Sequence, residues 1–271
     1  MSVIFQKLLG RHYKWYYVVL FYYKTHITYL GDTLTRGIAE FFGLASSIFI
    51  WYITTNSNAN FNTNEIITYL LIGFIYTAFT SSWYAEDLGY EIKNGSLNKS
   101  MIIPTPKFIV DFLQYIGRGV LAEVLTTFVP VIVLLPFIYR YIYIPTFTNL
   151  AWTVLFIPIS YSIKHIIEQI IGTMAFWLTN FGGLLRLKSK FEYLLNGSKI
   201  PLNILSNYIW LCLFTPFAFI LHYPIQIYLG KYSTIEIIQT FVGGIVWCLV
   251  LFILARIVFK MGLKRNEAVG L

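Results

Sequence analysis

The side chains of this 271-residue chain that could do chemistry are few and fall into small groups. Glu86, Asp87, Tyr90, Glu91, Lys93 and Lys99 share one polar stretch at 85–107, AEDLGYEIKNGSLNKSMIIPTPK, around a short helical pattern that ends at Asn94-Gly95. Asp32, Arg36 and Glu40 recur at four-residue spacing, which lines them up along one side of a helix. Arg118 with Glu123, and Lys164 with Glu168, stand inside otherwise apolar runs. These groups can pair charge or bind a polar ligand, but no nucleophile–base pair accompanies them. The phosphate-binding G-x-x-x-x-G-K-[ST], H-E-x-x-H and G-x-S-x-G patterns are absent. Cys212 and Cys248 lie in separate apolar stretches, and His12, His26, His165 and His222 are scattered, so no metal-ligand spacing arises. The expectation is a chain with no catalytic residue, no metal site and unpaired thiols.

The elements that must position these groups belong to a membrane. Hydrophobic residues make up 57% of the chain and charged ones 12%, against roughly 25% charged in a soluble domain. Aromatics reach 19%, which suits rings held at a lipid–water boundary. The apolar runs are long and unalternated, which excludes a transmembrane β-barrel. The net charge of +8 does not argue for nucleic acid, because the basic residues flank apolar spans. They suit anionic lipid headgroups and fix orientation.

About 20 apolar residues cross a hydrocarbon core of roughly 30 Å. Candidate spans are 31–54, 64–84, 108–137, 147–180 and 233–259, with short outer loops at 55–63 and 138–146. The 147–180 run is about 50 Å as one helix, so either it protrudes or it hides a tight hairpin; protrusion fits the basic residues Arg186, Lys188 and Lys190 that follow. Between 182 and 231 the pattern breaks at Gly197, Pro201, Pro216, Pro224 and Gly230. Such broken backbone survives in lipid only when packed in protein or lining a cavity. This region reads as one kinked span, or as a fifth span followed by a re-entrant outer hairpin. The N-terminal 1–26 reads as an interfacial amphipathic helix, with Lys7, Arg11 and Lys14 on its polar face and Val3, Leu8, Trp15 and Tyr16 towards lipid. Basic residues cluster before the first span, in 85–107 and after the last span, whereas the first two outer loops hold only Arg140. Positive-inside bias therefore puts both termini and the polar stretch in the cytosol of a multi-pass plasma-membrane protein, and six crossings satisfy that parity.

The stretch E-I-K-N-G-S-L-(x)6-P at 91–104 resembles the cytoplasmic loop of type-2 permeases of ATP-binding-cassette (ABC) exporters. Phe176-Trp177, N-G-S-K-I-P-L at 196–202 with Pro216-Phe217-Ala218 and Pro224, and the basic tail Gly262-Leu263-Lys264-Arg265 agree in order. Asn266 and Lys99-Ser100 depart from the pattern. The resemblance implies an all-α integral membrane protein of six transmembrane helices, with an interfacial N-terminal helix, a cytoplasmic coupling helix and a broken or re-entrant outer region at 198–230, in a single permease domain. It further implies that Glu86, Asp87, Tyr90, Glu91 and Lys93 couple to an ATPase subunit carrying ATP and magnesium, so this chain binds no cofactor itself. Gly197, Pro201, Pro216 and Pro224 would form the outer gate. A second permease subunit, identical or related, would complete the pathway for a hydrophobic or amphipathic cargo. Arg118, Glu123, Lys164 and Glu168 either line that pathway or pair across helices. The rival reading is a gradient-driven carrier or channel that uses those same groups without an ATPase.

Overall fold

The computed structural model describes residues 13–27, 30–57, 62–102, 106–198, 202 and 214–265, whose regular elements are all helices, with no strand among them. Helix α1 is Tyr13–Ile27, α2 is Leu30–Ser57 and α3 is Thr63–Phe79; a four-residue break then leads into α4, Tyr84–Lys93, and α5, Leu97–Ile102. Helix α6, Lys107–Tyr115, runs through a π-helical turn at Ile116–Val120 into α7, Leu121–Ile138. Helix α8 is Phe147–Thr173, α9 is Phe181–Leu195, α10 is His222–Tyr228 and α11 is Thr234–Arg265.

Local chemistry sets several of these ends. The Asn62 side chain accepts the Asn64 N–H at 3.0 Å and starts α3. Ser233 and Glu236 cap α11 reciprocally: the Ser233 N–H donates to Glu236 Oε2 at 2.7 Å and the Glu236 N–H to Ser233 Oγ at 3.4 Å. Helix α4 stops where the sequence places its end, because Gly95 takes φ +71°, a left-handed conformation that ends helices at little cost.

Five segments are long and apolar enough to cross a membrane: Leu34–Thr55, Thr63–Lys93, Lys107–Tyr141, Phe147–Phe176 and Thr234–Arg265. The shortest has 22 residues, about 33 Å, which covers the hydrocarbon core. Exposed Phe42, Phe49, Ile132 and Phe137 on α2 and α7 present the apolar surface that lipid requires. The sixth expected crossing is not a rod of this kind. Helix α9 has 15 residues, about 22 Å, and the next described elements are a 3₁₀ turn at Pro216–Phe219 and the seven-residue α10. Yet α8 finishes at the end of the bundle that carries α4, while Lys231, just before α11, pairs with Glu65 at the opposite end.

The 147–180 expectation resolves into a single helix with no hairpin inside, but it stops at Thr173 and a 3₁₀ turn follows at Met174–Phe176. Its last turns are the ones packed on α4, so its extra length is used there. Residues 1–12 of the expected interfacial helix, Pro201, Cys212 and Asn266 lie outside the described residues. The described part, α1, crosses the π-turn so closely that a Cβ on Gly117 would collide with the Val19 carbonyl.

Two apolar cores hold the rods. Phe156, Ile163, Ile227, Ile237 and Leu251 join α8, α10 and α11. Leu44, Ile48, Ile67, Leu71 and Leu134 join α2, α3 and α7. A third cluster, with Leu88, Leu97, Tyr115, Ala175 and Phe181, seats α4 beneath both.

Candidate functional site

Helix α4 has one buried and one open face. Tyr84, Ala85, Leu88, Gly89 and Ile92 are buried, while Trp83, Glu86, Tyr90 and Lys93 are exposed, Tyr90 to 69%. The buried face rests on α8, where a Cβ on Gly172 would stand 3.0 Å from the Ala85 carbonyl oxygen and from Leu88 Cβ. On the other side Gly89 leaves room for the Phe181 ring.

Ionic and hydrogen bonds fix this seat. Glu168 Oε2 accepts the Ala85 N–H at 3.3 Å, a carboxylate at the positive end of the helix dipole. Asp87 takes the Arg118 guanidinium at 2.7 Å and the Tyr115 hydroxyl. Glu91 takes Lys107 at 2.8 Å, and Lys107 also reaches Asp111 at 3.1 Å. The Tyr84 hydroxyl donates to Asp111, and the Tyr84 ring stacks on the fully buried His165 with centroids 4.8 Å apart. His165 Nδ1 meets Ser82 Oγ at 3.1 Å in the break before α4. The Lys93 ammonium donates to the Leu178 carbonyl.

The five residues expected to face a partner thus divide. Asp87, Glu91 and Lys93 are engaged within the chain, while Glu86 has no ion-pair partner among the described residues and Tyr90 projects freely. Sequence reasoning missed the sockets: Lys107, Asp111, Tyr115, His165 and Gly172. The one signal it carried was the i,i+4 spacing of Lys107 and Asp111.

The intramembrane charges also pair across helices. Lys164 meets Glu168 at 3.1 Å, as their spacing predicts, but Lys188 and Glu192 of α9 complete a quartet. Side-chain exposure in this quartet is at most 13%. Arg118 and Glu123 separate: Arg118 turns to α4, and Glu123 meets Arg36 of α2 at 3.0 Å. Glu123 and Lys164 line a cavity of about 220 Å³ with Glu40, Thr77 and Asn196, whereas Arg118 and Glu168 do not. Of the outer-gate residues, Gly197 follows α9 with φ +81°. Pro216 and Pro224 sit in the first turns of their short helices, where a missing N–H costs nothing. No cluster that could hold a metal occurs among the described residues.

Long apolar rods, a short polar helix clamped beneath them and intramembrane charge pairs define a multi-pass helical membrane protein. Residues 38–270 match the family model described as ABC-2 family transporter protein. The chain belongs to that family and is a membrane permease of the ABC type-2 kind. No curated protein and no solved structure gives a significant match.

Proposed function

We propose that this permease is the membrane half of an ATP-driven exporter and docks a separate ATPase chain through the open face of α4. ATP and magnesium would be held by that chain, and two permease subunits would frame the pathway. The observation that carries the reading is the contrast between the faces of α4: one is bolted down by Glu168, Arg118 and Lys107, and the other leaves Trp83, Glu86 and Tyr90 open. A rigid, charged helix held at both ends passes motion to the rods it is fixed to, because packed interfaces shift as units. In this reading the α4 end lies in the cytosol with both termini, the broken 182–231 region completes the sixth crossing, and the cargo is hydrophobic or amphipathic.

The test is co-purification with a co-expressed ABC ATPase subunit from the same organism. Glu86→Lys with Tyr90→Ala should lower recovery of the ATPase at least about tenfold, equivalent to about 1.4 kcal/mol of docking energy, with the permease melting temperature unchanged. Full recovery of the ATPase, or cargo transport by the isolated permease in liposomes without ATP, contradicts the reading; the second result would favour a gradient-driven carrier.

A further inference from the structure

A polar groove between α2, α3 and α9 holds a charge that docking at α4 does not use. Two cavities meet there, of about 220 and 440 Å³, and share Glu40, Phe74, Thr77 and Tyr193 as walls. The larger alone falls within the roughly 300–1,000 Å³ of small-molecule sites. Every other carboxylate on these walls has its cation: Glu123 takes Arg36 at 3.0 Å, and Glu192 takes Lys164 and Lys188. Glu40 has no ion-pair partner among the described residues. Arg36 stands one turn before it and is near enough for its charge to act on Glu40, but its direct ion pair is with Glu123. Glu40 lies six residues into the Leu34–Thr55 span, about 9 Å of helix, where an uncompensated charge is costly.

Lys164 stands on the wall of the smaller cavity but is held by Glu168 and Glu192; the remaining lining is suited to a cation with an apolar body. Phe74 and Tyr193, on the walls of both cavities, offer ring faces, which attract cations by their quadrupole, whereas the Trp83 ring already carries the Arg36 guanidinium 5.7 Å from its centroid. Ser47 and Thr77 supply hydroxyls, and Ser198 Oγ is buried there without a hydrogen-bond partner among the described residues. Gly43 opens onto the groove, and a Cβ on it would meet nothing within 4 Å.

We infer that this groove binds a monovalent hydrophobic cation, its charge against Glu40 and its apolar body against Phe74 and Tyr193. The inference deepens the exporter reading, and rests on it, by naming the charge class of the cargo.

The test uses the full-length permease with its ATPase in lipid nanodiscs and a pair of ions of matched shape and opposite charge, tetraphenylphosphonium and tetraphenylborate. Binding is read as the saturable fraction above empty nanodiscs. Tetraphenylphosphonium should bind at least about tenfold tighter than tetraphenylborate. Glu40→Gln should weaken the cation at least about tenfold and leave the anion little changed. Gly43→Phe, which grows into open space, should abolish saturable binding while the melting temperature holds, so the inference stays testable if Glu40→Gln fails to fold. Equal binding of the two ions, or cation binding that survives either substitution, overturns the inference. So does dissociation of paired permeases by Glu40→Gln with no cation bound to the parent protein, which would make the missing counter-charge a second subunit's. An ATPase that stays assembled while no cation binds sinks only the cation site. Cation binding that persists in a permease that never recruits an ATPase sinks only the docking.

Discussion

At the scale of single residues, burial decides which charges matter. Glu168 is 1% exposed on its side chain and serves two lysines and the first turn of α4. Replacing it with Leu leaves Lys164 and Lys188 to share Glu192, and removing one member of a buried ionic set costs about 3–5 kcal/mol. Thermal unfolding of Glu168→Leu in detergent should show a marked fall in melting temperature. Glu65→Ala breaks the exposed bridge to Lys231, where the side chains are 40% and 44% exposed. That change should cost under about 1 kcal/mol in the same assay. Pairing of this kind was only half legible in the chain. The Lys164–Glu168 contact follows from helical spacing, but Asp87 meets Arg118 thirty-one positions away, and no local pattern selects that partner over Glu123.

At the scale of elements, α4 keeps its seat because α8 lets it come close. Gly172→Leu would drive a side chain into Ala85 and Leu88, and overpacking of this kind costs about 1–3 kcal/mol. Hydrogen exchange should then speed up across Tyr84–Lys93 and leave α11 as protected as before; uniform exchange along the chain would mean that the contact does not hold α4 in place. The polar helix itself was readable, since its charges, its buried positions at Leu88 and Ile92 and its Asn94-Gly95 stop are all local signals. Its clamp was not, because Gly172 reads as one more small residue in an apolar run. The break in 182–231 was readable as a break, since Pro216, Pro224 and two turn glycines announce it. Its path was not, because α9 has neither the length nor the apolar content of a span: its 15 residues include Arg186, Lys188, Lys190 and Glu192.

At the scale of the whole molecule, the rods alternate in direction, so that α1, α4 and the end of α11 share one end of the bundle, while Glu65, Tyr143 and Lys231 share the other. Cysteines placed at Tyr90 and at Tyr143 should therefore react with an impermeant thiol reagent from opposite sides of the membrane, with Tyr90 on the cytosolic side. Labelling of both from one side would break the proposed orientation. The apolar spans were legible in the sequence, because hydropathy acts without knowledge of the fold, and the basic flanks supply the proposed orientation. The groove around Glu40 emerged only in three dimensions, where Arg36 turns away from its helical neighbour towards Glu123.

The central claim is that the open face of α4 meets an ATPase, and a photo-crosslinker placed at Tyr90 in the assembled complex tests it most directly. With 69% of Tyr90 exposed and Tyr84 at 3%, irradiation should join position 90 to the ATPase chain, while the same probe at position 84 should yield only crosslinks within the permease. An intact complex in which position 90 captures lipid or nothing would contradict the account.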